Sequence, residues 1–468
     1  MGRYKKLGKN ILLITIGNMA SKLMSFFLIP LYTASLTTTE YGTADLMTTT
    51  VNLLMPFFTL LISEAVLRFS LDDKYNKSEV LTSIVPVFII GGMLFFIASQ
   101  FIWLNDDLSG YYWYFIIYYF SVVMQTILSS FVRGIGRISV YSLSGILHTL
   151  LFLLLNIFFL LVVKIGLQGY LFAMIAGNIV ASIFLFFAGK VYTFVSPKMF
   201  DKKLLKEMLN YSVPMIPNSL GWWISNSSDK YMLTFFYGVS ITGIYSVSQR
   251  IPSLFAMISS IFMSAWHISA VEDFGSESTK KFYSGVYRKY SVLNILVVSI
   301  LIFLTKPIAF ILFSKDFFNG WYYVPILLVA FLFNAQSAFL GSIYTSAKKT
   351  KMLFVSTVIA AIMNIVFNFL LIPLCGATGA AIATLISYFV VWMIRMIDSK
   401  RILVIGWNKT TDIISYILII VQTIVIMLNV GTISVVASFI ICLTLFVVNK
   451  NEIGSIFKKV FDSFKCKR

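Results

Sequence analysis

Charge is scarce in this chain: 12% of its 468 residues are Asp, Glu, Lys or Arg, against 59% that are hydrophobic. That balance, with a mean hydropathy of +0.88, excludes an ordinary soluble domain, in which roughly a quarter of residues are charged. Cysteine is scarcer still. Cys375, Cys442 and Cys466 lie far apart and exclude a disulfide framework or a paired-cysteine metal site. The two histidines, His148 and His267, have no metal-ligand company, so neither metal nor cofactor is expected. No Gly-rich loop followed by Lys-Ser/Thr opens a helix, which argues against ATP hydrolysis. Strand-length alternation of apolar and polar residues is absent too, which excludes an outer-membrane barrel.

Present instead are apolar stretches of the roughly 20 residues that cross about 30 Å of hydrocarbon. We place fourteen, near 10–33, 43–67, 80–104, 111–132, 138–163, 170–193, 209–236, 241–266, 286–305, 322–345, 352–373, 379–397, 413–430 and 433–448. The expected fold class is an all-α polytopic membrane protein. The N-terminal run is too long for a signal-peptide core and reads as retained. No joint is long enough for a catalytic domain, and no catalytic residue is expected. The longest cytoplasmic joint, 194–208, is Lys-rich and patterned like a short amphipathic helix on the membrane surface.

The net charge of +18 is a topology signal rather than a nucleic-acid footprint. Of 37 Lys and Arg, 31 fall in joints or span ends on one side, and the other side holds only Lys164, Lys306 and Lys315. The positive-inside rule then puts both termini in the cytoplasm, as an even number of crossings requires. Membrane lipids are the implied contact of the basic joints.

Two weak internal echoes share an order. Gly166-Leu-Gln-Gly169 returns as Gly376-Ala-Thr-Gly379, 210 positions on, and Glu40-Tyr-Gly42 as Ile241-Thr-Gly243, 201 positions on. They suggest two six-helix lobes, 1–195 and 196–400, followed by two extra helices and a basic tail in 401–468. Lobes of even helix number would be related by a pseudo-two-fold along the membrane normal and would face a central cavity.

Polar residues line up inside the spans. Asp45, Thr49, Asn52, Pro56, Thr59 and Ser63 recur at steps of three and four, as do Ser246, Arg250, Ser253, Met257, Ser260 and Ser264. The first span adds Asn18 and Lys22, and the seventh adds Asn218, Asp229 and Lys230. A mid-bilayer cation costs at least about 2.5–3.5 kcal/mol, so Lys22, Lys230 and Arg250 need a wet cavity or an acidic partner. Two readings stand: a cationic pocket for an anionic substrate, or an inter-helix salt network with Asp45 or Asp229. Glu64 and Arg68 read as a local i,i+4 pair. Arg133 and Arg137 read as topology anchors, and with Arg68 they could greet a head group at a cytoplasmic entrance. Pro56, Pro214, Pro217 and Pro252 are expected kink points.

Gly17-Asn18-Met-Ala-Ser21-Lys22, Pro30-Leu-Tyr32, Glu40-Tyr-Gly42, Tyr211-Ser-Val-Pro214-Met-Ile-Pro217, Ser228-Asp229-Lys230 and Gly376-Ala-Thr-Gly379 together resemble the Wzx-type oligosaccharide flippases. That resemblance implies the multidrug/oligosaccharidyl-lipid/polysaccharide exporter superfamily. It further implies translocation of undecaprenyl-diphosphate-linked repeat units by alternating access in a bacterial cytoplasmic membrane, for O-antigen, capsule or exopolysaccharide. Lys22, Lys230 and Arg250 sit where related flippases carry cavity cations, although family members often use arginine where this chain has lysine. Lipid-linked oligosaccharide and polysaccharide polymerase machinery are the implied partners, with a monomer as the default state.

A multidrug antiporter of the same superfamily is the nearest alternative. It would want unpaired carboxylates, whereas cations match or outnumber acids within these spans. A membrane-embedded polymerase or ligase would need a large outer loop with catalytic residues, and the largest outer joint here, 306–320, is short.

Overall fold

The computed structural model of the chain describes residues 26–101, 110–274, 279–406 and 409–455, which form helices and turns without a strand. This is a multi-pass, all-α membrane protein. Helices occupy every expected span from 43–67 onward. Nine of those described are long and apolar enough to cross a bilayer, ten with one bent pair counted as a single span.

Contacts divide the chain into two compact units. The first runs to Ser227 and also takes Val239–Gly243. It contains α1 (Ile29–Ser35), α2 (Thr38–Phe58), α3 (Ile62–Leu71), α4 (Lys77–Ser83), α5 (Val85–Ser99), α6 (Tyr112–Gly134), α7 (Ile138–Ile157), α8 (Gly166–Ala188) and α9 (Lys202–Ser212). The second comprises Ser228–Gly238 and the chain from Ile244 onward. Its helices are α11 (Arg250–Asp273), α12 (Thr279–Phe303), α13 (Thr305–Leu312), α14 (Val324–Ser346), α15 (Lys351–Asp398), α16 (Lys409–Leu428) and α17 (Gly431–Val448). α10 (Ile216–Ser248) supplies segments to both units.

In unit 1, α2 starts on a capping box in which Thr37 and Glu40 satisfy each other's backbone N–H groups. α2 and α3 meet at 63° and make one bent span. The bend lies after Pro56, where Leu60 and Leu61 take left-handed φ values of 52° and 50°. Gly91 of α5 makes room for it: a Cβ there would strike the Phe58 carbonyl. Around the bend, Phe95 stacks on Tyr119 at 3.5 Å and meets Phe58 edge-on at 5.6 Å.

The amphipathic joint is helical from Lys202, with Leu204 and Met208 buried in the unit 1 core and Lys202, Lys203 and Lys206 exposed. Asp201 caps it, and bonds between Ser83 and the Asp201 backbone pin it to α4. Where α2 meets the 239–243 segment, Gly42 lies against the Val239 carbonyl and Gly243 against the Thr38 carbonyl. The Thr38 and Ser240 hydroxyls bond at 2.7 Å alongside.

In unit 2, α15 has 48 residues, about 72 Å at 1.5 Å per residue, and would overrun any bilayer if straight. Gly376, with φ 57° and ψ −137°, breaks it into the two expected spans. α16 and α17 are held by polar bonds as well as by packing. Gln422 accepts from the Ser299 hydroxyl at 2.7 Å and donates to the Ser438 hydroxyl at 3.1 Å. Tyr416 bonds Gln336 of α14, which donates to Ser291 of α12 at 3.2 Å. Hydrocarbon offers no hydrophobic drive between helices, so such bonds help specify their pairing.

Gly243→Val pushes a side chain into the Thr38 carbonyl and is expected to destabilise the fold by about 1–3 kcal/mol. A thermal melt of the detergent-solubilised protein reads the loss. An unchanged melting temperature would mean that these backbones do not touch.

Candidate functional site

Gly238, with φ 82° and ψ 171°, interrupts α10 and separates the seventh expected span from the eighth. Across that break Asp229 meets the chain that follows. Its carboxylate is 4% exposed and accepts from the Tyr245 hydroxyl at 2.8 Å and the Gln249 amide at 3.3 Å. Beside it, Ser228 donates to Asn364 Oδ1 at 3.0 Å, and Asn368 donates to the same oxygen at 2.9 Å. Asn364 and Asn368 come from α15 and are buried. The buried Asn368 Oδ1 accepts no hydrogen bond among the described residues. All of these residues belong to unit 2.

Each residue expected from sequence has the following place. Asn18 and Lys22 lie outside the described residues. Lys230 and Arg250 are half-buried, and the Asp229–Gln249 bond ties together the two segments that carry them. Asp45 is half-buried on α2, whereas Asn52, Asn218 and Ser253 are exposed. Several hydroxyls of the two polar stripes bond their own helix: Thr49 to the Asp45 carbonyl at 2.7 Å, Thr59 to Met55 at 2.6 Å, and Ser253 to Gln249 at 2.6 Å. Such back-bonds satisfy a hydroxyl where no water is at hand.

At the expected entrance, Arg68 is exposed and pairs with Asp72 at 3.6 Å. That corrects the expected Glu64–Arg68 pair, since Arg68 turns toward the next acid along the chain. Arg133 is half-buried over the Tyr141 ring at 5.4 Å, with its Nε buried and without a hydrogen bond among the described residues. Arg137 donates to the Gly189 carbonyl. His148 packs against Phe152 and Gly177 and meets no metal ligand, and the described residues hold no cluster of His, Cys, Asp and Glu fit for a metal.

Sequence reasoning missed Arg395, which was counted among the basic residues of a joint. It is 6% exposed. It donates to the Ser356 hydroxyl at 3.0 Å, the Ser337 carbonyl at 3.0 Å and the Thr357 hydroxyl at 3.1 Å. The signal was there: Ser387, Val391 and Arg395 follow at steps of four along one buried helical face.

A buried carboxylate that accepts from a phenol O–H and an amide N–H can take up a proton, and half-buried basic side chains on the same segments suit an anion. The profile of the polysaccharide biosynthesis protein family matches residues 7–267, more than half of the chain. The chain belongs to that family. It is 23% identical, over 84% of its length and 98% of the relative's, to an uncharacterized membrane protein of Methanocaldococcus jannaschii. It is also 23% identical to the probable low-salt glycan biosynthesis flippase Agl15 of Haloferax volcanii, over 40% of each chain.

Among solved structures, the lipid II flippase MurJ in an inward closed conformation superposes with a TM-score of 0.71 at 14% identity, covering 95% of this chain and all of that one. An inward-facing multidrug resistance MATE transporter gives 0.60 at 15% identity over 84% and 97%. These likenesses establish the fold.

Asp229→Ala is expected to destabilise the protein more than Tyr245→Phe. The first strands two donors and the second removes one, at about 1–3 kcal/mol per unsatisfied buried group. Paired thermal melts check the order, and equal melting temperatures would show that Asp229 does not organise the cluster.

Proposed function

We propose that this protein is a flippase for lipid-linked oligosaccharide. It carries undecaprenyl-diphosphate-linked repeat units from the cytoplasmic to the outer leaflet, by alternating access, for surface polysaccharide such as O-antigen, capsule or exopolysaccharide. Both termini lie in the cytoplasm on this reading, and the membrane is a bacterial inner membrane. The family match over residues 7–267 is the observation that carries it.

The chemistry of the cargo supports the same reading. A polyprenyl diphosphate carries about two negative charges, and its sugars need hydrogen-bonding walls that hydrocarbon cannot supply. Lys22, Lys230 and Arg250 supply the positive charge, and Asn18, Asp45, Asn52, Asn218, Asp229 and Ser253 the polar surface. Arg68, Arg133 and Arg137 would meet the head group on the cytoplasmic side. An inside-negative potential favours outward movement of the anion by about 2.3 kcal/mol per charge per 100 mV. That gain biases direction without ATP, and the proposal assigns no catalytic step to this chain.

One observation favours a second reading, export of cationic compounds: Asp229 is a buried carboxylate of the kind such an antiporter would use. The two readings part cleanly in cells. Deletion is expected to accumulate complete lipid-linked repeats on the cytoplasmic leaflet, seen by mass analysis of extracted lipids, whereas drug hypersensitivity without accumulation favours the antiporter. Lys22→Ala and Arg250→Ala are each expected to abolish surface polysaccharide while leaving the protein inserted. Normal polymer in both variants would remove the cations from the path.

A further inference from the structure

Unit 1 contains a cavity of about 790 Å³ that shares no lining residue with the Asp229 cluster. Ser35 of α1, Glu40 of α2, Tyr111 ahead of α6, and Leu161, Lys164 and Gln168 around the α7–α8 turn help to line it. Its size falls within the roughly 300–1,000 Å³ of small-molecule pockets. We propose that it is a saccharide-binding vestibule that receives the glycan of the lipid-linked cargo, an inference that rests on the flippase reading.

Glu40 spends one carboxylate oxygen on the helix cap: Oε2 accepts from the Thr37 N–H at 2.8 Å and its hydroxyl at 3.0 Å. Among the described residues Oε1 has only a long contact, 3.5 Å, from the Leu167 N–H, and keeps lone pairs to spend on a ligand. Gly166, at φ +56°, leaves that oxygen room, because a Cβ there would come within 2.9 Å of it.

Lys164 follows a π-helical turn, Phe158–Val163, and is held at φ 59°, ψ 43°, a left-handed conformation unfavourable for a residue with a side chain. The lysine is exposed, and no acid among the described residues pairs with it within 4 Å. Tyr111 adds a phenol that can donate or accept. Gln168 adds an exposed amide.

One acid, one cation, one amide and one phenol select against simple ions. Glu40 repels a bare phosphate and Lys164 repels a bare cation, whereas a ring of hydroxyls satisfies acceptor and donors together. The topology expected from the basic joints puts the α1, α7 and α5 ends, and the α2, α6 and α8 starts, on the non-cytoplasmic side. A glycan that has crossed would arrive there.

The test uses the full-length protein in lipid nanodiscs. Its probe is oligosaccharide from partial hydrolysis of the host's own surface polymer, titrated by saturation-transfer NMR. Glu40→Gln keeps the helix cap, since capping boxes accept Gln as well as Glu. Glu40→Gln and Gln168→Ala are each expected to weaken binding about tenfold or more, the cost of a hydrogen bond to a charged or buried group, while Lys203→Ala, on the exposed face of α9, binds as the wild type does. No saturation transfer to the wild type, or unchanged titrations in both variants, would overturn the vestibule. The flippase reading fails separately. If deletion accumulates no lipid-linked repeat while oligosaccharide still binds here through Glu40 and Gln168, the vestibule stands and the flippase does not.

Discussion

Hydrocarbon supplies no hydrogen bonds, so each polar group that this chain places at membrane depth has to find its partner within the protein. That constraint shows at the buried charges. Among the described residues Arg395 has no carboxylate as a hydrogen-bond acceptor; two carbonyls and two hydroxyls from α14 and α15 hold its guanidinium. Asp229 is held by a phenol and an amide. These neutral dipoles take the place of water around the ions, and in doing so they help to fix which helix faces meet.

The same constraint decides where the backbone can be irregular. Breaking a helix frees carbonyl and N–H groups, so a break needs compact packing or a side chain to answer it. At α2–α3 the left-handed leucines are tolerated because Gly91 lets the Phe58 carbonyl approach. Before α8, the left-handed Gly166 lies against Glu40, whose second oxygen already closes the α2 cap. Glu40 therefore links helix capping to the shape of the cavity. A carboxylate in that double role constrains both, so its neutral isostere is the informative substitution.

Much of the architecture was legible because helices in lipid announce themselves by length and hydropathy. The helices follow the expected spans, and the glycines of the two G-x-x-G echoes mark the turns they suggested. Side-chain partners were less legible. Arg68 was assigned to Glu64 by i,i+4 spacing, yet Asp72 lies at the same spacing in the other direction and takes the arginine. Spacing alone could not choose between them. Arg395 was misplaced for a related reason: a cation near a span end reads as an anchor unless the buried period of its helix is weighed against the charge. The Glu40 cap was written as Thr37-x-x-Glu40. Its second role depends on α8, 127 positions away, a distance over which local pattern carries no information.

The weak sequence echoes gain force from one contact. Under the 201-residue displacement that aligns Gly42 with Gly243, Thr38 aligns with Val239. In the structure the Val239 carbonyl lies against Gly42 and the Thr38 carbonyl against Gly243. Each half of the pair thus repeats the other with the roles exchanged, the signature of an isologous contact between equivalent elements. Chance similarity of short motifs gives no reason for that reciprocity, whereas two like helix starts packed about a two-fold produce it. Gly166 and Gly376, at φ 56° and 57°, repeat the argument in backbone conformation at the second echo. Glycine persists at both pairs for different reasons: close backbone approach at 42 and 243, and a left-handed turn at 166 and 376.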